Sequence, residues 1–155
     1  MAKELNIGDK APALSLPDQS GDRVSLKDFM GKQVVLYFYP KDDTPGCTTE
    51  SCDFRDASAP IKKTGAVIFG VSLDDKESHQ KFIKKFNLPF TLLSDEDAAV
   101  SKAYGCYKEK NMYGRKYWGI ERSTFVIDQT GKLKSIFRKV KVTSHVDDVL
   151  VALKA

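Results

Sequence analysis

Two cysteines spaced five residues apart are the side chains of this sequence best suited to chemistry. Cys47 follows the short apolar run 34–39, and Cys52 lies five positions further on. The run is β-branched and aromatic, which is typical of a buried strand. Thr44 and Pro45 are residue types favoured as the N-cap and the first position of a helix. Cys47 would then lie in the first helical turn, where free N–H groups and the helix dipole favour an anion such as a thiolate, the nucleophilic form of cysteine.

The spacing of the two cysteines restricts how they could react with each other. Five residues along an α-helix place their Cα atoms about 8.7 Å apart, whereas a disulfide tolerates at most about 7 Å. We therefore expect a Cys47–Cys52 bond to require unwinding of the first helical turns. Cys47, Phe54 and Ile61 recur every seven residues, so Cys47 shares the apolar side of the helix and is expected to be only partly exposed.

The elements that must position these cysteines indicate an α/β fold. The sequence predicts a hairpin within residues 13–26, one helical turn at 25–29, strands at 34–39, 66–71, 91–93, 123–128 and 132–141, and helices from Cys47 to about Pro60, at 74–87, 96–104 and 145–153. Strands that alternate with such helices form βαβ units, and the closing hairpin adds antiparallel pairing. We predict a mixed central sheet with helices on both faces. Ligands bind such sheets beyond the carboxyl ends of the strands, which is where residues 40–47 lie.

Length and composition indicate one globular domain, residues 1–155, with 41% hydrophobic and 30% charged residues. Three cysteines are too few for a disulfide framework, and the N-terminus has no apolar signal stretch. No apolar run approaches the ~20 residues of a membrane span. We therefore expect a soluble cytoplasmic protein. The most basic segment, 132–141, alternates charged and apolar residues, which favours a solvated strand over a nucleic-acid surface.

The residues around Cys47 resemble a known family. Pro40, Thr44 and Cys47 match the Pro-x-x-x-Thr-x-x-Cys signature of the peroxiredoxins, which are peroxidases with a thioredoxin-like fold. The segment 49–52 is similar to the peroxiredoxin Q branch, the bacterioferritin comigratory proteins, in which a resolving cysteine follows the peroxidatic one by five residues. Arg122, ahead of a late predicted strand, is similar to the family's active-site arginine. The resemblance covers essentially the whole chain, including segments 8–12 and 54–56.

The resemblance implies a thiol-dependent mechanism. The Cys47 thiolate would attack a peroxide oxygen and become a sulfenic acid. Arg122 would hold the thiolate and polarise the peroxide, while the Thr44 hydroxyl and the Cys47 N–H would donate hydrogen bonds to it. Pro40 would shield the site from water. Cys52 would form a disulfide with Cys47, and thioredoxin or a similar dithiol would reduce that bond. The resemblance further implies hydrogen peroxide and organic hydroperoxides as substrates, antioxidant defence, a monomer, and no metal or organic cofactor.

The residues alone leave several alternatives open. Cys47 could be a small buried hydrophobe, and Cys52 an unreactive helix residue. Arg55 and Arg115 compete with Arg122 for its role. Cys106 fits a structural thiol, or a backup resolving or intermolecular partner.

For other side chains the sequence supports only less specific interpretations. His79 and His145 are predicted to lie on surface helices, and a metal site built from them and the cysteines lacks the close ligand pairs of zinc sites. Tyr117 and Trp118 either line the pocket or pack as ordinary aromatic residues. A thiol–disulfide exchange protein or redox sensor, and a thioredoxin-like binding module with idle cysteines, are the rival functions. Catalytic consumption of peroxide in the presence of a dithiol distinguishes a peroxidase from both.

Overall fold

The computed structural model describes residues 4–155 and alternates strands with helices. The strands are β1 (Ser15–Pro17), β2 (Arg23–Ser25), β3 (Val34–Phe38), β4 (Val67–Ser72), β5 (Thr91–Ser94), β6 (Tyr107–Met112), β7 (Arg115–Ile120), β8 (Ser123–Ile127) and β9 (Leu133–Phe137). The helices are α1 (Pro45–Asp56), α2 (Ser58–Lys63), α3 (Lys76–Phe86), α4 (Ala99–Ala103) and α5 (His145–Lys154), and a 3-10 turn spans Leu26–Phe29. In this described part of the chain, no helix combines the length and apolarity needed to cross a membrane.

The predicted mixed sheet is confirmed. Its five strands lie in the order β5-β4-β3-β8-β9. β3 pairs parallel with β4, and β4 parallel with β5, whereas β8 pairs antiparallel with both β3 and β9. The predicted N-terminal hairpin is also confirmed, as the antiparallel pair β1–β2. Because β3 is central and leads directly into α1, the residues that follow it are placed at the carboxyl edge of the sheet.

Alternating side chains along β3 divide the core into two clusters, one on each face of the sheet. Val34, Leu36 and Phe38 belong to a cluster that α4, the 3-10 turn and the N-terminal hairpin cover. Val35 and Tyr37 belong to a cluster packed by α1, α2, α3 and α5. Helices therefore lie on both faces, as predicted, but the two layers are unequal: the longer helices share one face.

Helix α1 begins as the sequence predicts, with Thr44 at the N-cap position and Pro45 at the first helical position. It ends at Asp56, and α2 starts at Ser58. Pro60 explains the break, because proline lacks the N–H that would bond the carbonyl four residues earlier. The prediction that Pro60 ends or kinks this helix is thus confirmed.

The hairpin of β6 and β7 was not predicted. Its loop residues Tyr113 and Gly114 have φ values of 53° and 78°, and two-residue hairpin loops of the I′ type require a positive φ at both positions.

The helix predicted at 96–104 is shorter in the structure. It begins only at Ala99, because the buried Asp95 side chain accepts hydrogen bonds from the N–H groups of Val100 and Ser101 at 3.2 and 2.7 Å.

Candidate active site

Cys47 lies in the first turn of α1, just beyond the carboxyl end of β3. The Thr44 backbone is extended, with φ −99° and ψ 155°, as an N-cap residue requires. The first main-chain hydrogen bond of the helix runs from the Thr48 N–H to the Thr44 carbonyl at 2.8 Å. The Cys47 N–H therefore precedes the hydrogen-bonded ladder and points where an anion is favoured.

Cys47 is more deeply buried than predicted. We expected partial exposure, but only 1% of the residue is accessible. It belongs to the same apolar cluster as Phe54 and Ile61, so the seven-residue spacing did identify the correct side of the helix. The thiol is buried because it belongs to the core cluster between α1 and the sheet.

Arg122, in the connection between β7 and β8, contacts the Cys47 thiol. Its Nη2 donates to Cys47 Sγ at 3.2 Å, and its Nη1 donates to Glu50 Oε1 at 2.7 Å. A planar guanidinium can make two such directed contacts at once, which an ammonium group cannot. The structure thus brings the predicted arginine to the predicted cysteine.

The two competing arginines lie elsewhere. Arg55 donates to the Asp56 carboxylate at 3.0 Å and to the Phe86 carbonyl at 2.8 Å. Arg115 is exposed at the start of β7. Neither takes the position that Arg122 occupies beside the thiol.

Glu50 is a site residue that the sequence analysis missed. It is 1% exposed and lies on α1 three residues after Cys47, a spacing that puts both on one face of the helix. That spacing was the available signal. Burial raises the pKa of Glu50 to about 7, although the charge and hydrogen bond of Arg122 act to lower it.

Gly46 permits the close approach of the guanidinium. A Cβ atom built at this position would lie 3.0 Å from Arg122 Nη2. A side chain there would press on the group that contacts the thiol. The structure thus gives this glycine a steric role.

Thr44 and Pro40 lie in the loop that joins β3 to α1, and the roles expected of them toward a peroxide stay predictions. The Thr44 hydroxyl donates to the Lys41 carbonyl at 2.8 Å, so its hydrogen is directed at the main chain of the loop and not toward the thiol. Its oxygen keeps free lone pairs. Pro40 is half-buried between β3 and α1, and its shielding of the site stays a prediction.

Cys52 lies on α1 with Cys47, and both thiols are free. Because one regular helix carries both residues, the spacing argument applies: about 8.7 Å between Cα atoms prevents a direct bond. Cys52 is half-buried. Burial raises the pKa of its thiol, an effect that Arg55 partly offsets.

Cys106 lies on the opposite side of the sheet. It is fully buried in the cluster that contains Leu36 and Phe38, whereas Cys47 belongs to the other cluster. Its Sγ faces the Tyr104 carbonyl at 3.7 Å, and burial raises the pKa of the thiol to about 12. This environment favours the structural interpretation of Cys106.

Both histidines are buried, which corrects the prediction that they lie on solvated surfaces. His79 is inaccessible to solvent; its Nδ1 lies 2.7 Å from Asp42 Oδ2 and its Nε2 3.0 Å from the Leu93 carbonyl. Asp42 also accepts from the hydroxyl groups of Tyr39 and Ser78. These hydrogen bonds link the loop that precedes α1 with helix α3.

Asp42, Asp74 and His79 have ligand atoms within 4.8 Å of one another, close enough to hold a metal ion. Both oxygens of Asp42, both ring nitrogens of His79 and one oxygen of Asp74 already have hydrogen-bond partners, however. Asp74 Oδ2 accepts from the Asp42 N–H at 2.8 Å and from the Ser72 hydroxyl at 2.7 Å. The donor set is therefore better explained as a structural hydrogen-bond network.

Tyr117 and Trp118 lie on the outer hairpin and are 42% and 58% exposed. Trp118 stacks on Tyr107 with ring centroids 5.6 Å apart. This packing is within the hairpin. It gives no support to the interpretation that the two residues line a pocket around Cys47.

The fold and the site together define a class of protein. A thiol at a helix start is favoured as an anion, and the arginine beside it can stabilise both that anion and a polar substrate. A second thiol on the same helix can form a disulfide with the oxidised cysteine once the helix opens. These are the requirements of a thiol-dependent peroxidase on a thioredoxin-like sheet.

Comparison with known proteins agrees with this assignment. Residues 7–136 match the AhpC/TSA family. The chain is 52% identical over 150 residues to peroxiredoxin Bcp of Bacillus subtilis, covering 97% of this chain and 96% of the relative. It is 47% identical to a Xanthomonas campestris bacterioferritin comigratory protein studied for alkyl peroxide reduction, with a TM-score of 0.87 and coverage of 91% and 90%. It is 39% identical to Xylella fastidiosa PrxQ, with a TM-score of 0.92 and coverage of 99% and 98%.

The chain therefore belongs to the AhpC/TSA family. Within it, the chain is similar to the Bcp and peroxiredoxin Q proteins over nearly its full length. It is a peroxiredoxin, a thiol-dependent peroxidase of the oxidoreductase class.

Proposed function

We propose that Cys47 is the peroxidatic nucleophile, and the contact of 3.2 Å between Arg122 Nη2 and Cys47 Sγ is the observation that carries this assignment. The thiolate attacks the terminal peroxide oxygen, an S–O bond forms and the O–O bond breaks. The departing oxygen takes a proton and leaves as water or an alcohol. Cys47 is oxidised to a sulfenic acid and the peroxide is reduced.

Arg122 supplies the positive charge for this step, and Glu50 fixes its orientation through the bond of 2.7 Å to Nη1. The Cys47 N–H, which precedes the helical ladder, is available to donate to the peroxide. Thr44 offers lone pairs to the peroxide O–H, or donates after its hydroxyl rotates away from Lys41. Pro40 limits access of water from the loop side.

Cys52 is the proposed resolving residue. Its thiol condenses with the sulfenic acid, releasing water and forming a disulfide. The first turns of α1 must open for this step, which separates Glu50 from Arg122 and breaks the contact of 2.9 Å between Ser51 and Tyr37. The break between α1 and α2 supports an opening confined to α1.

The disulfide is reduced by thioredoxin or a similar dithiol, which supplies two electrons. Hydrogen peroxide and organic hydroperoxides are the proposed substrates, and the alkyl peroxide reduction studied in the Xanthomonas campestris protein supports the second class. The chain acts as a single thioredoxin-like domain, residues 1–155, and as a cytoplasmic monomer in antioxidant defence. None of these steps uses a metal or an organic cofactor.

The variant Cys52→Ser tests this sequence of steps, with Cys106→Ser as its matched control. One equivalent of hydrogen peroxide should oxidise Cys47 in both variants. Only Cys52→Ser should lose thioredoxin-supported turnover and accumulate Cys47 as a sulfenic or more highly oxidised acid, measured by mass spectrometry. A Cys47–Cys106 bond with normal turnover in Cys52→Ser would remove Cys52 from the mechanism.

A further inference from the structure

One oxygen of the buried Glu50 carboxyl lacks a hydrogen-bond partner. Oε1 accepts from Arg122 at 2.7 Å, but no donor within residues 4–155 reaches Oε2. His145 Nε2 lies 3.9 Å from this oxygen. Buried polar atoms are nearly always paired, so an orphaned oxygen beside an active site requires an explanation.

The His145 ring is held in a fixed orientation by its surroundings. It stands at the start of α5 and is 4% exposed. The rings of Phe54 and Phe137 pack against it nearly perpendicularly, with interplanar angles of 89° and 82°. Its Nε2 lies 2.8 Å from the hydroxyl of Thr124, which is itself fully buried.

The hydrogen bond with Thr124 assigns the tautomer of His145. Within residues 4–155, His145 Nε2 is the hydrogen-bond partner of the Thr124 hydroxyl, so we assign the hydroxyl as donor and Nε2 as acceptor. Burial lowers the pKa of His145 to about 4. The ring is therefore neutral at neutral pH, carries its proton on Nδ1, and offers no N–H to Glu50 Oε2, because Nε2 accepts from Thr124.

A ring nitrogen without a proton in that position cannot donate to Oε2, so an ionised Glu50 carboxylate would keep a buried oxygen without a donor. Burial already raises the pKa of Glu50 to about 7. The neighbouring Arg122 serves two acids at once, Glu50 through Nη1 and Cys47 through Nη2. If both acids are ionised they share one positive charge, whereas a neutral Glu50 leaves that charge to the thiolate.

We propose that His145 is a positioning residue of the peroxidase site: by accepting from Thr124 it withholds a donor from Glu50 Oε2, which favours a neutral Glu50 and leaves the charge of Arg122 to the Cys47 sulfur. This inference rests on the proposed roles of Cys47 and Arg122. His145 touches neither the thiol nor the peroxide, and it acts through the Glu50 carboxyl. This tautomer also accounts for the orphaned Oε2, because it leaves that oxygen without a donor.

The other charged or titratable groups around this pair do not replace His145 in that role. They are Asp53 and Cys47 on α1, Tyr37 on β3, Arg122 before β8 and Asp148 on α5. Asp53 raises the pKa of Glu50 by charge repulsion, and Arg122 lowers it. Both effects persist when His145 is replaced.

The direct test is the titration of Glu50, followed by carboxyl 13C NMR in a Cys47→Ser background so that the thiol does not titrate with it. The Glu50→Gln variant identifies the signal. In His145→Gln an amide N–H can donate to Oε2 and stabilise the carboxylate, so the titration should move down by about one pH unit, the effect of one hydrogen bond to a charged group. Unchanged titration of Glu50 in this variant would overturn the proposal.

Two further variants separate this effect from damage to the fold. Thr124→Val does not touch Glu50, but it frees His145 to place its proton on Nε2, so the titration should again move down. Val149→Ala opens a cavity in the same helix and the same core cluster, and should leave the titration unchanged. If Thr124→Val has no effect, or if Val149→Ala has the same effect, the tautomer argument is wrong. Thr124→Val also keeps the test available should His145→Gln fail to fold.

Kinetics then show whether His145 acts through Glu50. In the enzyme with Cys47 intact, His145→Gln should slow single-turnover oxidation by hydrogen peroxide at pH 7 by up to about tenfold, which corresponds to one pH unit. In a Glu50→Gln background, His145→Gln should not slow this oxidation any further. Equal slowing in both backgrounds would overturn the proposal. Retained peroxidase activity in Cys47→Ser would instead refute the proposed function, and it would not alter the Glu50 titration.

Discussion

The substitution Arg122→Lys examines the geometry on which the site depends. The guanidinium makes two charge-assisted contacts, at 2.7 Å to Glu50 and 3.2 Å to Cys47, while 15% of its side chain remains exposed. A lysine keeps the charge but cannot span both partners in one plane. At least one contact is therefore lost.

A hydrogen bond to a charged group is worth about 1.5–3 kcal/mol, and about 1.4 kcal/mol corresponds to a factor of ten in rate. If the lost contact is the one to sulfur and peroxide, the second-order rate of Cys47 oxidation should fall roughly 10- to 150-fold. If the contact to Glu50 is lost instead, a buried carboxyl loses its partner, and the free energy of unfolding should fall by a comparable amount.

The assay is rapid quenching after a single exposure to hydrogen peroxide, with alkylation of the remaining thiolate and quantification of Cys47 by mass spectrometry. Arg55→Lys is the matched control, because Arg55 lies on α1 but binds Asp56 and the Phe86 carbonyl instead of the thiol. Its rate should stay within about twofold of the wild type, as for an exposed ion pair. An unchanged rate in Arg122→Lys, or an equal loss in Arg55→Lys, would refute the reasoning.

Two further predictions concern the start of α1. Gly46→Ala places a methyl group 3.0 Å from Arg122 Nη2, so it should displace the guanidinium and slow single-turnover oxidation without loss of helical circular dichroism; a wild-type rate would show that this close approach is not needed. The disulfide form should lose amide protection over residues 47–57 while residues 34–39 stay protected, as measured by hydrogen exchange. Equal protection of both forms, with the Cys47–Cys52 bond confirmed, would contradict resolution by unwinding.

The sequence was sufficient to predict the elements with strong patterns. The apolar run before Cys47 became the central strand β3, and Thr44 and Pro45 start α1 as expected. These predictions succeeded because strand burial and helix capping depend on residues that are neighbours in the chain. The proximity of Arg122 to Cys47 was expected only from the family resemblance, since 75 residues separate them.

The predictions that failed, or were never made, concern features that depend on tertiary packing and exposure, which local sequence patterns do not reveal. Most residues of the β6–β7 hairpin are exposed, whether polar or aromatic, so its strands lack the alternation that reveals a buried sheet face. His79 and His145 sit on helices, but both are buried by packing against the sheet and neighbouring helices. Nothing in the local sequence distinguishes Glu50 from other charged residues of a helix. Its burial depends on the hydrogen bond from Arg122, which lies in the loop before β8.

The measurement that tests the central claim most directly is peroxide consumption by Cys47→Ser with dithiothreitol as reductant. Because the substitution removes the only group assigned as nucleophile, we expect a folded protein that consumes hydrogen peroxide no faster than a blank with dithiothreitol alone. Catalytic consumption above that blank by a correctly folded Cys47→Ser protein would contradict the assignment of Cys47 and the mechanism built on it.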